Sequence, residues 1–371
     1  MLYKASQRNV YLPAILYLCR PKFAAMFNKR VKIKELLTWE PKEQEVIVMG
    51  WVRTFRNNQF IALNDGSTNN NIQVVAELGK FDEALLKRVM TSASLKVTGI
   101  VIPSLGKGQK MDLVAKSIEI LGDSDADAYP IQLRNRPTLE YLREKAHLRF
   151  RTNTFGSVFR VRHSLAFAVH KFFNDKGFVY MHTPIITASD AEGAGETFRV
   201  TTLPFDEGEK KTPRNENGTI NFKEDFFGRL TNLTVSGQLE GELGATAFGD
   251  IYTFGPTFRA ENSNTARHLA EFWMIEPEMA FYDLEDNANL AEEFIKYLIK
   301  YVMDNNREDL EFLAQRLADE EKQLPQDKRS ELGLIEKLEF VLNNDFQRLT
   351  YTEAIDVLKE SNHNKKKKFQ Y

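Results

Sequence analysis

The sequence predicts an α+β protein in which a small N-terminal β-barrel precedes a larger domain of helices flanking an antiparallel sheet. Three observations support this prediction. Five short runs rich in Val and Ile fall within residues 44–121, an amphipathic helical pattern occupies 155–173, and a charged strand–loop–strand pattern covers 258–276. The 371 residues suffice for about two domains.

Composition excludes several classes of protein. Apolar residues make up 42% and charged residues 27% of the chain, a balance typical of globular proteins. A single cysteine, Cys19, excludes an intramolecular disulfide and a cysteine-based zinc cage. No stretch approaches the roughly 18 apolar residues that span a bilayer. We therefore expect a cytoplasmic protein without a membrane partner, whose net charge of −2 leaves any nucleic acid to a local basic face.

The first 34 residues contain eight Lys or Arg and no acidic residue. Two interpretations stay open: an upstream start codon, with the working protein beginning near Met26, or a transit peptide. We predict an N-terminal extension at 1–30, an OB-fold barrel at 31–122, a linker at 123–140 and a second domain at 141–371.

The predicted barrel follows from strands separated by turn residues. A helix at 80–90 lies between the third and fourth strands, and five strands with one helix in this place are typical of an OB-fold, which binds oligonucleotides. The predicted strands are 44–53, 59–63, 71–77, 95–101 and 111–121.

The second domain begins with the helix at 155–173, which Gly177 ends. Four strands and a further amphipathic helix at 290–302 follow, and the charged stretch 320–329 is expected to be a solvated insertion. The predicted strands are 178–186, 231–235, 250–258 and 271–280.

The most informative segment is the hairpin around a polar loop at 262–267. Its strands carry Arg259 and Glu261 before the loop, and Arg267 and Phe272 at or after its end. Arginine binds carboxylate or phosphate bidentately, and an aromatic face can stack on a purine. The set therefore suits a nucleotide together with a carboxylate. The alternative is an ordinary surface hairpin in which Arg and Glu pair.

This hairpin, with the sequences FRAE at 258–261 and HLAEFWMIE at 268–276, resembles motif 2 of the class II aminoacyl-tRNA synthetases. Residues 177–186, GFVYMHTPII, resemble motif 1, the dimer interface of that family, which ends in the proline found here as Pro184. The resemblance is closest to the aspartyl, asparaginyl and lysyl subgroup. Three segments look asparaginyl: AEGAGETF at 191–198, LTVSGQLEGE at 233–242 and YTFGPTFRAENSN at 252–264.

The resemblance implies a role for each hairpin residue. Arg259 would be catalytic, bridging the attacking carboxylate of the amino acid and the α-phosphate of ATP. Glu261 would hold the adenine amine and Phe272 would stack on the adenine. Arg267 and His268 would contact the β- and γ-phosphates.

It also implies an amino-acid site. Glu192 and Gln238 are expected to bind the ammonium and polar edge of asparagine, and Glu240 and Glu242 to sense its side-chain amide, with Glu242 preferred. Aspartyl enzymes carry a lysine after the corresponding Gln-Leu pair, whereas this chain has carboxylates there. A carboxylate repels aspartate but accepts a hydrogen bond from an amide nitrogen.

In the barrel, the resemblance places Phe60 and Gln73 at the central uracil of an anticodon, by stacking and hydrogen bonding. Arg53 and Arg56 are expected to contact phosphates. For Phe60 the alternative is a residue of the barrel core, and for the arginines it is simple solvation.

The expected substrates and partners are asparagine, ATP, tRNA(Asn) and a second copy of the chain, bound through residues 178–184. Mg²⁺ is expected with ATP, but its ligands stay unassigned. No Gly-x-Gly-x-x-Arg pattern typical of motif 3 occurs after residue 280, so we expect a chain that stops before that motif. Two other functions stay open: an aspartyl or relaxed Asp/Asn enzyme, and a non-catalytic tRNA-binding protein.

Overall fold

A computed structural model describes residues 29–106, 108–131, 137–189, 196–205, 211–263, 265 and 267–361. The chain divides into two compact units. The first comprises residues 1–162 and 306–333, and the second comprises 163–305 and 334–371. The limits of the extension, linker and domains given above stay predictions. In the described segments, no helix is both long and apolar enough to cross a bilayer.

The described elements number nine α-helices and eleven strands. The helices are α1 (Ile33–Leu36), α2 (Glu83–Lys87), α3 (Leu139–Glu144), α4 (Asn153–Asp175), α5 (Gln238–Phe248), α6 (Leu284–Asn305), α7 (Arg307–Glu321), α8 (Leu334–Asn343) and α9 (Tyr351–Glu360). The strands are β1 (Gln44–Arg56), β2 (Phe60–Asn64), β3 (Ile72–Val75), β4 (Ser94–Pro103), β5 (Met111–Gly122), β6 (Val179–Met181), β7 (Ile186–Thr187), β8 (Arg199–Val200), β9 (Thr231–Leu233), β10 (Asp250–Phe258) and β11 (Glu271–Met279).

The first unit contains a closed five-stranded barrel with the strand order β1-β2-β3-β5-β4. Only the β3–β5 pairing is parallel. Alternate side chains point inward, so that Ile61 and Leu63 of β2 and Ile72 and Val74 of β3 are fully buried in one core. This arrangement confirms the predicted OB-fold barrel.

The helix after β3 is shorter than the predicted 80–90. The side chain of Asp82 accepts a hydrogen bond from Ala84 N and caps the start of α2. Before the cap, Gly79 has a φ of +77° and Lys80 N donates to Glu77 O, so the chain turns there. Asp82 has an extended backbone and caps the first turn, so the helix starts at Glu83 rather than at residue 80.

An ion pair fastens the first turns of α4 to α7 within the first unit. Arg160 donates from Nε to both carboxylate oxygens of Asp309 at 3.1 Å and from Nη2 to Oδ1 at 2.6 Å. The side chains are only 21% and 7% exposed. Thr68, in the loop after β2, donates to both oxygens of Glu308 on α7. Helix α7 is therefore held to α4 and to a barrel loop by charged hydrogen bonds.

The second unit holds two three-stranded sheets, ordered β11-β10-β6 and β7-β9-β8. The first is mixed rather than purely antiparallel, because β6 runs parallel to β10. Its core is aromatic: Phe172 and Phe173 of α4 pack with Tyr252 of β10 and Leu290 of α6. Phe173 stacks on Tyr252 with 4.6 Å between ring centroids.

The predicted single strand at 178–186 is wrong. Two short strands replace it, β6 paired with β10 and β7 paired with β9, in different sheets. Pro184 lies between them and has no N–H to donate to a ladder, so the strand breaks there. The observed strands β9, β10 and β11 match the predictions closely, and β10 has the predicted bounds.

Candidate active site and nucleic-acid face

The β10–β11 hairpin sets the geometry of the candidate active site. Its antiparallel register is unbroken from Asp250 opposite Met279 to Phe258 opposite Glu271. One further hydrogen bond, from Arg259 N to Ala270 O at 3.0 Å, extends the pairing by one residue beyond the ends of the two strands. As a result the Arg259 guanidinium carbon lies 5.7 Å from the centroid of the Phe272 ring.

The end of this hairpin forms an open cavity of about 530 Å³. The lining contains all five residues that the sequence assigned to ATP, so the structure brings them together. That volume is within the range of small-ligand sites, roughly 300–1,000 Å³. The lining residues are Arg259, Glu261, Ser263, Arg267, His268, Leu269, Ala270 and Phe272.

The charges in this cavity are not neutralised by each other. The Nε atom of Arg259 is buried and has no hydrogen-bond partner. Within the described ranges, neither Arg259 nor Arg267 forms an ion pair, so the alternative of a surface hairpin closed by Arg–Glu pairs is not what the structure shows. A buried guanidinium N–H without a partner is costly, and an anionic oxygen would satisfy it.

The loop of the hairpin orients His268. Its Nδ1 forms a hydrogen bond with Thr265 Oγ1, and the same hydroxyl oxygen accepts from Arg267 N at 3.4 Å. Both Arg267 and His268 are exposed. The loop thus presents a cation and an imidazole to solvent at the rim of the cavity.

Helix α5 carries three of the four predicted amino-acid contacts, and the fourth, Glu192, lies outside the described residues. Gln238 Nε2 donates to Glu242 Oε1 at 3.0 Å, as the i, i+4 spacing on one helix face allows. Glu240 lies two residues, or about 200°, around the helix from Gln238. The structure therefore brings Gln238 and Glu242 together and places Glu240 on the other flank.

A fourth carboxylate, Glu276 on β11, was not singled out from the sequence. It accepts hydrogen bonds from Ser236 Oγ, from Gly237 N at 3.1 Å and from Thr253 Oγ1 at 2.6 Å. A Cβ atom on Gly237 would lie 2.7 Å from Thr183 Oγ1, so a larger residue here would force neighbouring side chains to shift. The position of Glu276 opposite Thr253 in the hairpin register is the sequence signal that could have identified this residue. Glu276 ties the start of α5 to the hairpin.

The start of α5 is an acidic environment. Burial raises the pKa of the Glu278 carboxyl, and the neighbouring charges of Glu242 and Glu276 raise that pKa further. Carboxylates in such proximity attract an ammonium group or an amide N–H and repel another carboxylate. In the described segments no group of three or more His, Cys, Asp or Glu side chains is arranged to hold a metal ion.

On the barrel, Phe60 and Gln73 lie on the outer face. Both are partly exposed, whereas their neighbours Ile61, Ile72 and Val74 are fully buried. The alternative that Phe60 belongs to the barrel core is therefore not what the structure shows.

A hydrogen-bond network fixes the carboxamide of Gln73. Its Nε2 donates to Asp112 Oδ1 at 3.2 Å, and its Oε1 accepts from Arg56 Nη2 at 3.5 Å. Arg56 pairs with Phe60 in the β1–β2 register. Arg56, Phe60 and Gln73 thus form one outer patch.

Arg53 does not belong to that patch. It lies at an irregularity of β1, where the register with β2 shifts between Val52 and Thr54. Its guanidinium donates to the backbone carbonyl of Arg151 and lines a separate cavity. Burial lowers the Arg53 pKa, and the nearby Arg151 charge lowers it further. The extra residue at the irregularity turns the side chain away from the outer patch, so the predicted phosphate contact is not supported by its position.

Comparisons with known proteins agree with this geometry. The family model "tRNA synthetases class II (D, K and N)" matches residues 138–370, and "OB-fold nucleic acid binding domain" matches 46–121. An asparagine–tRNA ligase of Cytophaga hutchinsonii is 54% identical over 348 residues, which cover 92% of this chain and 70% of the relative. One from Bacteroides fragilis is 55% identical over 335 residues, covering 90% and 68%.

Solved structures share the fold. The asparaginyl-tRNA synthetase from Pyrococcus horikoshii complexed with asparaginyl-adenylate gives a TM-score of 0.69 at 23% identity, over 91% of this chain and 68% of the other. The Entamoeba histolytica enzyme in complex with asparaginyl-adenylate gives 0.64 at 21% identity, over 89% and 66%. These likenesses confirm the predicted architecture of a barrel followed by a class II catalytic fold.

Proposed function

The chain belongs to the class II aminoacyl-tRNA synthetases, as a member of the asparagine–tRNA ligases, and from this premise we propose that it activates asparagine with ATP and transfers it to tRNA(Asn). The first step joins the asparagine carboxylate to the α-phosphate and releases pyrophosphate. The second moves the asparaginyl group to the 3′ end of the tRNA. Relatives more than 50% identical along 90% of the chain disfavour the alternative of a non-catalytic tRNA-binding protein.

The observation that carries this proposal is the buried, unpartnered Nε of Arg259 beside the Phe272 ring. The α-phosphate and the attacking carboxylate are both anions, so bringing them together requires a cation between them. Arg259 supplies that charge with fork geometry suited to two oxygens. Phe272 offers a stacking face to adenine, Glu261 an acceptor for its amine, and Arg267 and His268 donors for the outer phosphates.

Class II synthetases generally use Mg²⁺ with ATP, and the ion would neutralise phosphate charge when bound. The described residues offer no cluster of three metal ligands, so we assign none of them to it. What this chain's own residues do is position the two anions and screen their repulsion, which is the main requirement of phosphoryl chemistry.

For the amino acid, we propose that Gln238 and Glu192 bind the polar end of asparagine and that Glu242 accepts from the side-chain amide. The acidic surroundings of Glu242, Glu276 and Glu278 support a preference for asparagine over aspartate. An aspartate side chain would place a further negative charge there, and rejection of that kind is strong. Glu240 lies on the other flank of α5, which makes it the weaker of the two candidates.

For the tRNA, we propose that the outer patch of Arg56, Phe60 and Gln73 reads the anticodon. An exposed aromatic ring beside a fixed carboxamide suits one unpaired base, by stacking and by edge hydrogen bonds. Arg56 is a better candidate for a phosphate contact than Arg53, because it lies on the same patch and is exposed. Asp112 holds the Gln73 amide in one orientation.

A homodimer through residues 178–184 and a cytoplasmic location complete the proposal. Val179 and Tyr180 of β6 are 43% and 42% exposed although they belong to a sheet strand. Such exposed apolar side chains on the edge strand of a sheet favour a covering partner. Sedimentation at micromolar concentration with Val179→Asp tests this point: the variant is expected to sediment as a monomer and the parent as a dimer.

The function is tested by charging a tRNA(Asn) transcript with labelled asparagine. We expect charging that depends on ATP and is lost when the central anticodon base is changed. Charging with aspartate at a similar rate would contradict the assignment of the substrate. Equal charging of the altered transcript would contradict the role of the barrel patch but not that of the hairpin.

A further inference from the structure

A second cavity, of about 210 Å³, lies within the first unit and plays no part in the proposed reaction. It is formed by the irregular part of β1, the end of β2, the turn before β4 and two segments beyond the barrel. The lining residues are Trp51, Val52, Arg53, Asn64, Gly66, Thr91, Ser92, Tyr129, Ile131, Phe150 and Arg151.

Aromatic rings form much of the cavity wall, and among the described lining residues the groups charged at neutral pH are all cationic. Three rings line it, those of Trp51, Tyr129 and Phe150, and no Asp or Glu is among the lining residues. The two guanidiniums belong to Arg53 and Arg151. In the part of the chain that the structure describes, neither of them forms an ion pair with a carboxylate.

Both guanidiniums are held in place by the fold. Arg53 Nη1 donates to the carbonyl of Arg151, and Arg151 Nη1 donates to Ser92 Oγ. The Arg151 guanidinium carbon also lies 5.4 Å from the Trp51 ring centroid. Burial is the main cause of the lowered Arg53 pKa, and the nearby charge of Arg151 lowers that pKa further. An anion between the two guanidiniums would therefore be stabilised by both.

Size limits what the cavity can accept. A cavity of about 150 Å³ accommodates benzene, and sites for drug-sized ligands begin near 300 Å³. A volume of about 210 Å³ therefore suits one aromatic ring with a small charged group and is too small for a nucleotide.

We propose that this cavity binds a small aromatic carboxylate, with its ring against Trp51, Tyr129 and Phe150 and its carboxylate bonded to Arg53 and Arg151. The site is separate from the hairpin residues that bind ATP in the proposed function. Its ligand would be a free small molecule rather than the tRNA, since the volume excludes a nucleotide with its phosphate.

The probe is benzoate, and the reporter is the indole N–H resonance of Trp51. The chain has three tryptophans, so three indole signals are expected, and Trp51→Phe identifies one of them. Titration of the protein with benzoate is expected to shift that signal saturably and to leave those of Trp39 and Trp273 in place. Absence of a saturable shift at millimolar benzoate would overturn the proposal.

The contribution of charge to benzoate binding is tested in two ways, by changing the ligand and by changing Arg151. Benzamide has nearly the same shape without the charge and is expected to bind roughly 10- to 100-fold more weakly, the usual loss when a charged hydrogen bond is removed. Arg151→Met is expected to weaken the binding of benzoate by a similar factor. Its matched control is Arg143→Met, which removes an exposed arginine paired with Glu140 and is expected to change nothing.

A further variant keeps both charges and fills the cavity. Thr91→Phe places a ring in the cavity from its wall and is expected to abolish the benzoate shift while the protein stays folded. Binding that survives Thr91→Phe, that is equal for benzamide, or that is unchanged by Arg151→Met would each show that benzoate binds elsewhere. This variant also decides the case if Arg151→Met does not fold.

Discussion

The guanidinium of Arg259 lies over the ring of Phe272, 5.7 Å from guanidinium carbon to ring centroid. A cation–π contact of this kind contributes up to about 2 kcal/mol. It occupies one face of the ring that is expected to stack on adenine, while the Arg259 Nε has no partner. Nucleotide binding would exchange this contact for charged hydrogen bonds to phosphate and carboxylate, which are stronger.

Replacing Arg259 by alanine is expected to lower asparagine-dependent ATP–pyrophosphate exchange by at least about 100-fold, because a positioned donor to the reacting anions is lost. Arg214→Ala is the control, since Arg214 is an exposed arginine of the same unit whose guanidinium donates to the Gly218 carbonyl. Near-normal exchange by Arg259→Ala would refute the catalytic assignment.

Phe60→Ala is expected to reduce the kcat/KM for tRNA charging by about tenfold or more, since stacking of one base is worth roughly 1–3 kcal/mol. Exchange without tRNA should not change. Phe55→Ala is the contrast, because Phe55 packs against the barrel core and its loss should destabilise the barrel by roughly 3 kcal/mol. If Phe60→Ala instead lowered stability and exchange together, Phe60 would not be an anticodon contact.

Glu242→Gln tests the recognition of the side-chain amide. Loss of the charged acceptor is expected to lower the kcat/KM for asparagine by roughly 10- to 100-fold and to reduce the discrimination against aspartate. Glu240→Gln is matched in chemistry and lies on the other flank of α5, so it should leave both quantities unchanged. The opposite pattern, measured by exchange with each amino acid, would transfer the role to Glu240.

Glu276→Gln is expected to raise the KM for asparagine. The carboxylate holds Ser236, Gly237 and Thr253 with three hydrogen bonds, and an amide cannot accept from all three donors. The start of α5, which carries Gln238, should then loosen. Exchange assays at varied asparagine and varied ATP separate this effect from a general loss. Glu285→Gln, an exposed carboxylate on α6, is the control.

Asp309→Ala is expected to destabilise the first unit by about 3–5 kcal/mol, because it leaves the Arg160 guanidinium without its bidentate partner in a largely buried place. Glu311→Ala removes a carboxylate from the same helix but breaks only the exposed pair with Arg307. Glu311→Ala should lower the free energy of unfolding by about 0.5 kcal/mol or less. Urea unfolding of the two variants followed by circular dichroism makes the comparison.

Local patterns in the sequence predicted much of this molecule. The bounds of β10 and the clustering of Arg259, Glu261, Arg267, His268 and Phe272 follow from a hairpin whose two strands are adjacent in the chain. Register along such a hairpin is set by the alternation of side chains in its two strands, which is visible in the residues themselves.

Features that depend on distant parts of the chain were not predicted. The break between β6 and β7 depends on pairing with β10 and β9, whose paired residues lie about 72 and 47 positions away in the chain. The direction of Arg53 depends on a register shift against β2, and the role of Glu276 on a turn about 40 residues earlier. Propensity at one position carries no information about such partners.

Formation of asparaginyl-adenylate in a single turnover tests the central claim most directly. The purified protein is mixed with labelled ATP, pyrophosphatase and either asparagine or aspartate, and the bound products are separated. We predict that adenylate forms with asparagine, does not form with aspartate, and is lost in Arg259→Ala. Adenylate formed equally well with aspartate, or retained in Arg259→Ala, would contradict the account.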